Sequence, residues 1–160
     1  MRFKDKIVVV TGGASGLGYA SARSFAREGA TMAIFDVDAR KKPETTAEIE
    51  REGGKAIFLP CDLTDPAQVQ AAYDEVIRRF DRVDVLHANA GIIDVPRTIN
   101  EMTFEQWKRV ISINLDGMFL AAKGAVTQML RQDGGTIVFT GSNWAYVCDP
   151  GFTSYAASKG

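Results

Sequence analysis

The sequence has few of the residues that build metal sites, disulfide frameworks or histidine-based catalytic triads. Its 160 residues include one histidine, His87, and two cysteines, Cys61 and Cys148, far apart in the chain. A single histidine argues against a Ser-His-Asp triad and against a histidine-based metal site. The isolated cysteines are interpreted as reduced thiols, typical of a cytoplasmic protein. His87 lies in an apolar stretch and is interpreted as a packed core side chain.

An excess of charge and a long hydrophobic run are also missing. The formal net charge is -1, from 19 Lys and Arg against 20 Asp and Glu. Such a balance gives no electrostatic attraction to nucleic acid or to an anionic membrane. No run approaches the roughly 20 apolar residues of a membrane span, and the apolar part of the start is too short for a secretory signal. We therefore expect a cytoplasmic protein with no nucleic-acid or membrane partner.

A glycine-rich stretch from Thr11 to Gly18 follows the first strand-like run of the chain. That run, Ile7–Val10, has four β-branched residues and is typical of a strand buried on both faces. A helical pattern without Gly or Pro follows and ends at Gly29. This order brings free backbone N–H groups and the positive end of a helix dipole to one place, which favours an anion. An ordinary strand-to-helix turn is the alternative.

An acidic residue, Asp36, ends the second strand-like run, Thr31–Phe35, and lies 18 residues after Gly18. A carboxylate at this place suits the ribose hydroxyls of a dinucleotide and repels a 2′-phosphate. The position therefore predicts NAD rather than NADP. The alternative is a strand-end turn residue without a ligand.

Three further strand-like runs, at 55–59, 83–87 and 136–140, alternate with helical patterns. This order predicts an α/β fold with a doubly wound parallel sheet, a Rossmann-type three-layer α/β/α arrangement. Asp62 and Leu63 follow the third strand, where a capping loop is the alternative to an adenine contact. Ser142 follows the fifth strand, and strand ends of such sheets face the ligand crevice.

The long helix after the fourth strand begins with Thr103 and Gln106 at the spacing of a capping box. Asn114 lies on its apolar stripe, so its polar side chain needs a buried partner. A core Asn that kinks the helix is the alternative. The stripe is otherwise apolar: Trp107, Ile111, Met118, Ala122 and Met129.

Tyr155 and Lys159 are four residues apart and share one face of a predicted helix. An ammonium beside a phenol favours the phenolate, so the tyrosine can exchange a proton with a substrate near neutral pH. The nearby aromatics Trp144, Tyr146 and Phe152 either line an apolar, ring-accepting pocket or pack the loop.

These motifs, in this order, resemble the classical short-chain dehydrogenase/reductase family. The resemblance rests on Thr11-Gly12-x-x-x-Gly16-x-Gly18, Asn89-Ala90-Gly91, Asn114-Leu115-x-Gly117, Ser142 and Tyr155-x-x-x-Lys159. Ala88 stands where the family usually has Asn, and Gly141 where it commonly has Ser. The resemblance implies a catalytic set of Asn114, Ser142, Tyr155 and Lys159. It implies that NAD binds to Gly12, Ser15, Gly16, Leu17, Gly18, Asp36, Asp62, Leu63, Asn89, Ala90, Gly91, Tyr155 and Lys159.

The implied activity is NAD(H)-dependent interconversion of a secondary alcohol and a ketone, without a metal. Tyr155 would be the acid and base, Ser142 would bind the substrate oxygen, and Lys159 would assist Tyr155 and hold the nicotinamide ribose. Asn114 would hold a relay water. The resemblance further implies a small-molecule substrate and, for the complete protein, a homo-oligomer, either dimer or tetramer.

The resemblance extends over residues 1–160, interpreted as a single NAD(P)-binding Rossmann-type domain. The sequence ends at Gly160, one residue after Lys159, whereas family members continue further. We therefore expect a C-terminally incomplete domain that lacks the last strands of the family fold. The alternative is a truncated nucleotide-binding module or an inactive remnant without turnover.

Overall fold

The chain forms one parallel sheet with helices on both faces, as the strand and helix order predicts. A computed structural model describes all of residues 1–160. The five strands are β1 (Ile7–Thr11), β2 (Thr31–Asp36), β3 (Lys55–Pro60), β4 (Val85–Ala88) and β5 (Thr136–Phe139). Their order across the sheet is β3-β2-β1-β4-β5, and every neighbouring pair is parallel. The doubly wound Rossmann-type fold is therefore confirmed.

Six α-helices connect and flank the strands. They are α1 (Gly16–Arg27), α2 (Lys42–Arg51), α3 (Pro66–Phe80), α4 (Phe104–Ile111), α5 (Gly117–Met129) and α6 (Thr153–Lys159). A π-helical segment, Ser112–Asp116, joins α4 to α5, and short 3-10 turns lie at Ala39–Lys41 and Asn143–Ala145.

Two apolar cores lie on opposite faces of the sheet, because side chains of successive strand residues point to opposite faces. In β1, Ile7 and Val9 pack with α3 and α5, while Val8 and Val10 pack with α1 and α2. At the centre, Val9 lies opposite Ala33 of β2 and Leu86 of β4. All five β1 residues are buried, as the β-branched run predicts.

Side-chain caps fix the start of two helices. The Asp65 carboxylate accepts hydrogen bonds from the N–H groups of Ala67 and Gln68, with Pro66 at the first helical position of α3. Thr103 and Gln106 form the predicted capping box of α4. The two caps set where α3 and α4 leave the loops after β3 and β4.

The long helix differs from the predicted one in its middle. The π-helical segment inserts an extra residue into the turn at Asn114 and rotates the following stripe. Ala122, which follows this segment, is only half-buried, and Trp107 and Ile111, which precede it, are half-buried as well. The stripe is instead formed by five buried residues: Val110, Met118, Ala121, Ala125 and Met129.

By length and composition alone, the stretch Phe104–Met129 is apolar enough to cross a membrane. Core helices pass the same test, and Val110, Ala121 and Ala125 of this stretch are fully buried in the fold. In all, 33% of the apolar window is buried in the fold, and one such stretch is weak evidence for a membrane span.

Candidate active site

One cavity of about 610 Å³ opens at the carboxyl ends of the strands. Residues after or at the ends of all five strands contribute to its walls, as expected for open α/β sheets. Twelve of the predicted site residues line it: Gly12, Ser15, Gly16, Leu17, Asp36, Asp62, Leu63, Asn89, Ala90, Gly91, Tyr155 and Lys159. Three others, Gly18, Asn114 and Ser142, do not line it.

The glycine-rich turn forms the wall between β1 and α1. Gly12 has a positive φ of +64°, and a side chain there would press on the backbone of Ala90. A Cβ at Gly18 would overlap the Gly12 carbonyl, so Gly18 lets α1 pack directly onto the turn. The first N–H groups of α1 have no acceptor within the helix, and they lie at the cavity. The turn therefore offers N–H donors and a positive dipole to an anion.

Asp36 lies at the end of β2 and ties two neighbouring segments together. Its Oδ2 accepts a hydrogen bond of 3.0 Å from the Ala14 N–H, and its Oδ1 accepts one of 2.9 Å from the Asp38 N–H. A carboxylate oxygen has a second lone pair, so both oxygens retain capacity for a hydroxyl donor. Asp36 thus both shapes the turn and presents negative charge to the cavity.

The loop after β3 supplies Asp62, Leu63 and a cysteine. The Asp62 Oδ1 accepts hydrogen bonds from the N–H and hydroxyl of Thr64, so part of its side chain serves the loop. Cys61 also lines the cavity and is buried. Burial, followed by the charges of Asp62 and Asp65, raises the pKa of Cys61 to about 12. Its thiol therefore stays protonated and is a poor nucleophile.

The segment after β4 is held against β1 by a buried threonine. Thr11 Oγ1 accepts hydrogen bonds from the N–H groups of Asn89 and Ala90, at 2.9 and 3.0 Å. The Asn89 side chain in turn donates to the Thr11 carbonyl at 3.2 Å. These bonds bring the Asn89–Gly91 backbone beside the glycine-rich turn.

Tyr155 and Lys159 share one face of α6 and both line the cavity. The Lys159 Nζ lies 5.8 Å from the centre of the Tyr155 ring and donates a 2.8 Å hydrogen bond to the Thr140 carbonyl. Burial lowers the pKa of Lys159. Trp144 packs its ring edge-on against Tyr155, with centroids 5.6 Å apart, and also contacts Phe152.

Ser142 lies outside the cavity, one residue after Gly141. Its hydroxyl accepts a 3.2 Å hydrogen bond from the Trp144 N–H and caps the short 3-10 turn at Asn143–Ala145. The three aromatic residues of this loop differ in their packing. Trp144 and Phe152 pack against each other, whereas Tyr146 is 91% exposed.

Asn114 is buried, and protein groups occupy both ends of its amide. Its Oδ1 accepts from the Ile92 N–H at 2.8 Å, and its Nδ2 donates to the Ile92 carbonyl and the Ser158 hydroxyl at 2.9 and 3.1 Å. The inward-facing asparagine thus has the partners that burial requires. It clamps the segment after β4 to the π-helical segment and to α6, next to Lys159.

Sequence reasoning did not single out Thr140 or the role of Thr11. Thr140 lines the cavity at the end of β5 and contacts Asn89, His87 and Lys159. Thr11 ends β1 and Thr140 directly follows β5, and a polar residue at a strand's carboxyl end is the signal that would have identified them.

A sequence profile of the short chain dehydrogenase family matches residues 6–160. The chain belongs to the short-chain dehydrogenase family. The sequence resemblance is thereby confirmed over nearly the whole chain.

Curated dehydrogenases named for different substrates are similar in sequence to this chain. It is 38% identical over 159 residues to cyclopentanol dehydrogenase of Comamonas testosteroni, covering 99% of this chain and 63% of that protein. It is 35% identical over 158 residues to D-threitol dehydrogenase of Mycolicibacterium smegmatis, covering 99% of this chain and 60% of that one. The chain therefore spans about 60 to 63% of the length of these curated relatives.

Solved structures of family members superpose closely. NAD+-bound xylitol dehydrogenase has a TM-score of 0.96 at 30% identity, covering 99% of this chain and 61% of that one. Levodione reductase has a TM-score of 0.95 at 33% identity, covering 99% of this chain and 62% of that one. These likenesses, one of them to an NAD+-bound enzyme, support a nicotinamide cofactor for the cavity.

The residues of this chain fit such a cofactor on three structural grounds. A side chain at Gly18 would overlap the Gly12 carbonyl, so only backbone lies between the turn and the start of α1, as the close approach of a pyrophosphate requires. The start of α1 suits a pyrophosphate, and Asp36 suits a ribose. The cavity then continues past Asn89 and Gly91 to Tyr155 and Lys159.

Proposed function

We propose that this chain carries the cofactor site and the acid–base residues of an NAD(H)-dependent oxidoreductase that interconverts a secondary alcohol and a ketone. One observation carries the proposal: Tyr155 and Lys159 open to the same cavity as the glycine-rich turn and Asp36. The same cavity thus contains a phenol with an adjacent ammonium and the residues that we propose hold the dinucleotide.

The specificity for NAD over NADP rests on Asp36. Its carboxylate lines the cavity at the end of β2. A ribose 2′-hydroxyl can donate to it, whereas a 2′-phosphate would bring a second negative charge next to it. Neither Val37 nor Gly13 beside it carries a positive charge to accommodate that phosphate.

The proton chemistry rests on Tyr155. A bound nicotinamide dinucleotide supplies hydride acceptance or donation, and the protein must move the alcohol proton. Tyr155 takes that proton during oxidation and returns it during reduction. Lys159, held at the Thr140 carbonyl, stabilises the negative charge that forms on the phenol oxygen. The resemblance also implies that Ser142 binds the substrate oxygen and that Asn114 holds a relay water. However, the Ser142 hydroxyl lies outside the cavity and protein groups hold both ends of the Asn114 amide, so the geometry supports Tyr155 and Lys159 alone.

Replacing Tyr155 with Phe in the intact protein tests the assignment. The variant keeps the ring against Trp144 but has no proton to exchange, so we expect NAD-dependent oxidation of secondary alcohols to fall at least about 100-fold. NADH affinity, measured by fluorescence titration, should stay within about twofold of the parent. Tyr146→Phe is the matched control, because Tyr146 is 91% exposed and outside the cavity. Unchanged turnover of Tyr155→Phe would refute the proposal.

A nucleotide-binding module without turnover is the second candidate. It is favoured by Ser142, whose hydroxyl caps a 3-10 turn and lies outside the cavity. This candidate predicts NADH binding with no oxidation of any of a panel of cyclic alcohols, linear alcohols and sugar alcohols. Turnover that depends on Tyr155 excludes it.

A further inference from the structure

His87 is the only histidine of the chain, and its ring lies next to the cavity walls without lining the cavity. It is half-buried on β4, and its Nε2 is 3.1 Å from the hydroxyl of Thr140 on the neighbouring strand end. Its Nδ1 is buried and has no hydrogen-bond partner. The ring thus forms a hydrogen bond through one nitrogen only. Packing in an apolar core does not explain this bond, so its role has to be sought in the partner, Thr140.

The Thr11 carbonyl fixes which groups donate and which accept in the hydrogen bonds that join Asn89, Thr140 and His87. The Asn89 amide places a terminal atom 3.2 Å from the Thr11 carbonyl, which can only accept, so this atom is the NH₂ group. The other terminal atom is therefore the amide oxygen, which lies 3.2 Å from the Thr140 hydroxyl. An amide oxygen only accepts, so the single hydroxyl proton of Thr140 is donated to Asn89.

The protonation of His87 is then determined. With the Thr140 proton given to Asn89, the short contact to His87 requires Nε2–H to donate to the Thr140 oxygen. A charged ring would add a second N–H at Nδ1, where no acceptor is present. Burial lowers the pKa of His87, in agreement with a neutral ring. The ring is therefore the Nε2–H tautomer.

We propose that His87 is a positioning residue for the cofactor cavity, acting through Thr140. Its Nε2–H orients the Thr140 hydroxyl toward Asn89, and the same Thr140 presents its carbonyl to the Lys159 ammonium. Through the Thr140 hydroxyl, His87 thereby helps to hold one wall residue, Asn89, without lining the cavity itself. The inference rests on the proposed function for its cofactor.

Substitutions that keep or remove the donor test this role. His87→Gln can place an amide N–H near the position of Nε2, whereas His87→Leu fills space without a donor. Loss of one buried hydrogen bond corresponds to roughly a five- to tenfold change in an equilibrium. We expect His87→Leu to raise the NADH dissociation constant and the KM for NAD by about that factor. His87→Gln should restore at least half of the loss on a logarithmic scale.

A double substitution with Thr140→Val tests the route. If His87 acts through the Thr140 hydroxyl, His87→Leu causes no further loss of NADH affinity once that hydroxyl is gone. Equal losses in both backgrounds would refute the proposal, as would a His87→Leu protein with parental affinity. A His87→Gln protein as weak as His87→Leu would also refute it.

Nitrogen-15 NMR of the imidazole ring tests the tautomer in the unsubstituted protein and does not depend on folding of a variant. We expect a protonated Nε2 and an unprotonated Nδ1 at pH 7. The opposite tautomer would overturn the inference while leaving the Tyr155 proposal intact. Failure of the unsubstituted protein to bind NADH or NADPH would instead overturn both the proposed function and the role of His87 in cofactor positioning.

Discussion

The strands on the two sides of β4 differ in how completely the rest of the chain buries them. On one side, β1 is buried along its whole length and β2 along all but its ends. On the other, β5 pairs only with β4, and three of its four residues are exposed. The proposed cofactor cradle belongs to the covered side. Ser142, Tyr155 and Lys159 follow the exposed strand.

This difference teaches that the two parts of the site are supported by different contacts. The glycine-rich turn and Asp36 are held by two strands with helices packed on both faces. Tyr155 and Lys159 lie on a helix of seven residues, whose attachment includes the Asn114–Ser158 and Lys159–Thr140 hydrogen bonds. A helix this short depends on such tertiary contacts. We therefore expect cofactor-site substitutions and β5 substitutions to differ in their effects.

The largest expected effect contrasts two valines on the two sides. Val9→Ala empties space in the centre of the sheet, where the residue is 0% exposed, and should lower the free energy of unfolding by about 2 to 3 kcal/mol. Val138→Ala, at 47% exposure on β5, should cost less than about 1 kcal/mol. Urea unfolding of both variants measures the difference. Equal losses would mean that β5 is covered in solution.

The next effect concerns the junction of the turn with α1. In Gly18→Ala the added methyl group meets the Gly12 carbonyl, so the helix must move away from the turn. We expect NADH affinity to fall about 100-fold, since close helix packing fixes the anion site. Gly141→Ala is the control, because no atom lies within 4 Å of its added Cβ. Similar affinities of the two variants would contradict the proposed cradle.

Cofactor choice should respond to Asp36. Asp36→Ala removes the charge that disfavours a 2′-phosphate and should reduce the ratio of NAD to NADP affinity by about 10- to 100-fold. Asp38→Ala, whose carboxylate pairs with Arg40 at the surface, should leave the ratio unchanged. Parallel titrations with NADH and NADPH measure it. A parent protein that already prefers NADPH would show that the interpretation of Asp36 is wrong.

The smallest effect lies at the opposite end of the sheet, where Asp84 joins β1 to β4. Its carboxylate accepts from the Ile7 N–H at 2.9 Å and pairs with Arg82 and Lys6. Burial opposes ionisation, but the hydrogen bonds from Arg82, Ile7 and Lys6 outweigh it and hold the pKa of Asp84 below its usual value.

A depressed carboxyl pKa stabilises the folded protein above the unfolded value, about 3.9, and this stabilisation is lost as the pH falls through the folded pKa. Asp84→Asn should therefore lower the free energy of unfolding by about 1 to 2 kcal/mol at pH 7, and the deficit should shrink below about pH 4. Asp74→Asn, at an exposed position of α3, is the control. A deficit that stays constant down to pH 2 would contradict the ionic role.

Much of the fold and of the cavity could be predicted because the signals are local. The β-branched run before Thr11 predicts a central strand, and the Thr103–Gln106 spacing predicts a capping box; both are confirmed. Asp36 could be placed at a strand end because it directly follows the apolar run Thr31–Phe35. It could be placed at the cavity because the carboxyl ends of parallel strands meet at one edge of the sheet. The roles of Tyr155, Ser142 and Asn114 in turnover stay predictions.

Other features could not be predicted because they depend on contacts between distant segments. The π-helical segment rotates the apolar stripe after Asn114, so a constant helical period misplaces Ala122. His87 looked like a core residue because its own strand is apolar, but its partner Thr140 is 53 residues away.

The sequence by itself determined the order of the strands and helices, the family and the type of ligand cradle, because periodicity and turn chemistry are local properties of the chain. Only the tertiary structure decided which polar side chains meet. It buried Asn114 between Ile92 and Ser158, and it aligned His87, Thr140 and Asn89. The reason is geometric: hydrogen bonds between strand ends depend on the register of neighbouring strands, which no single segment encodes.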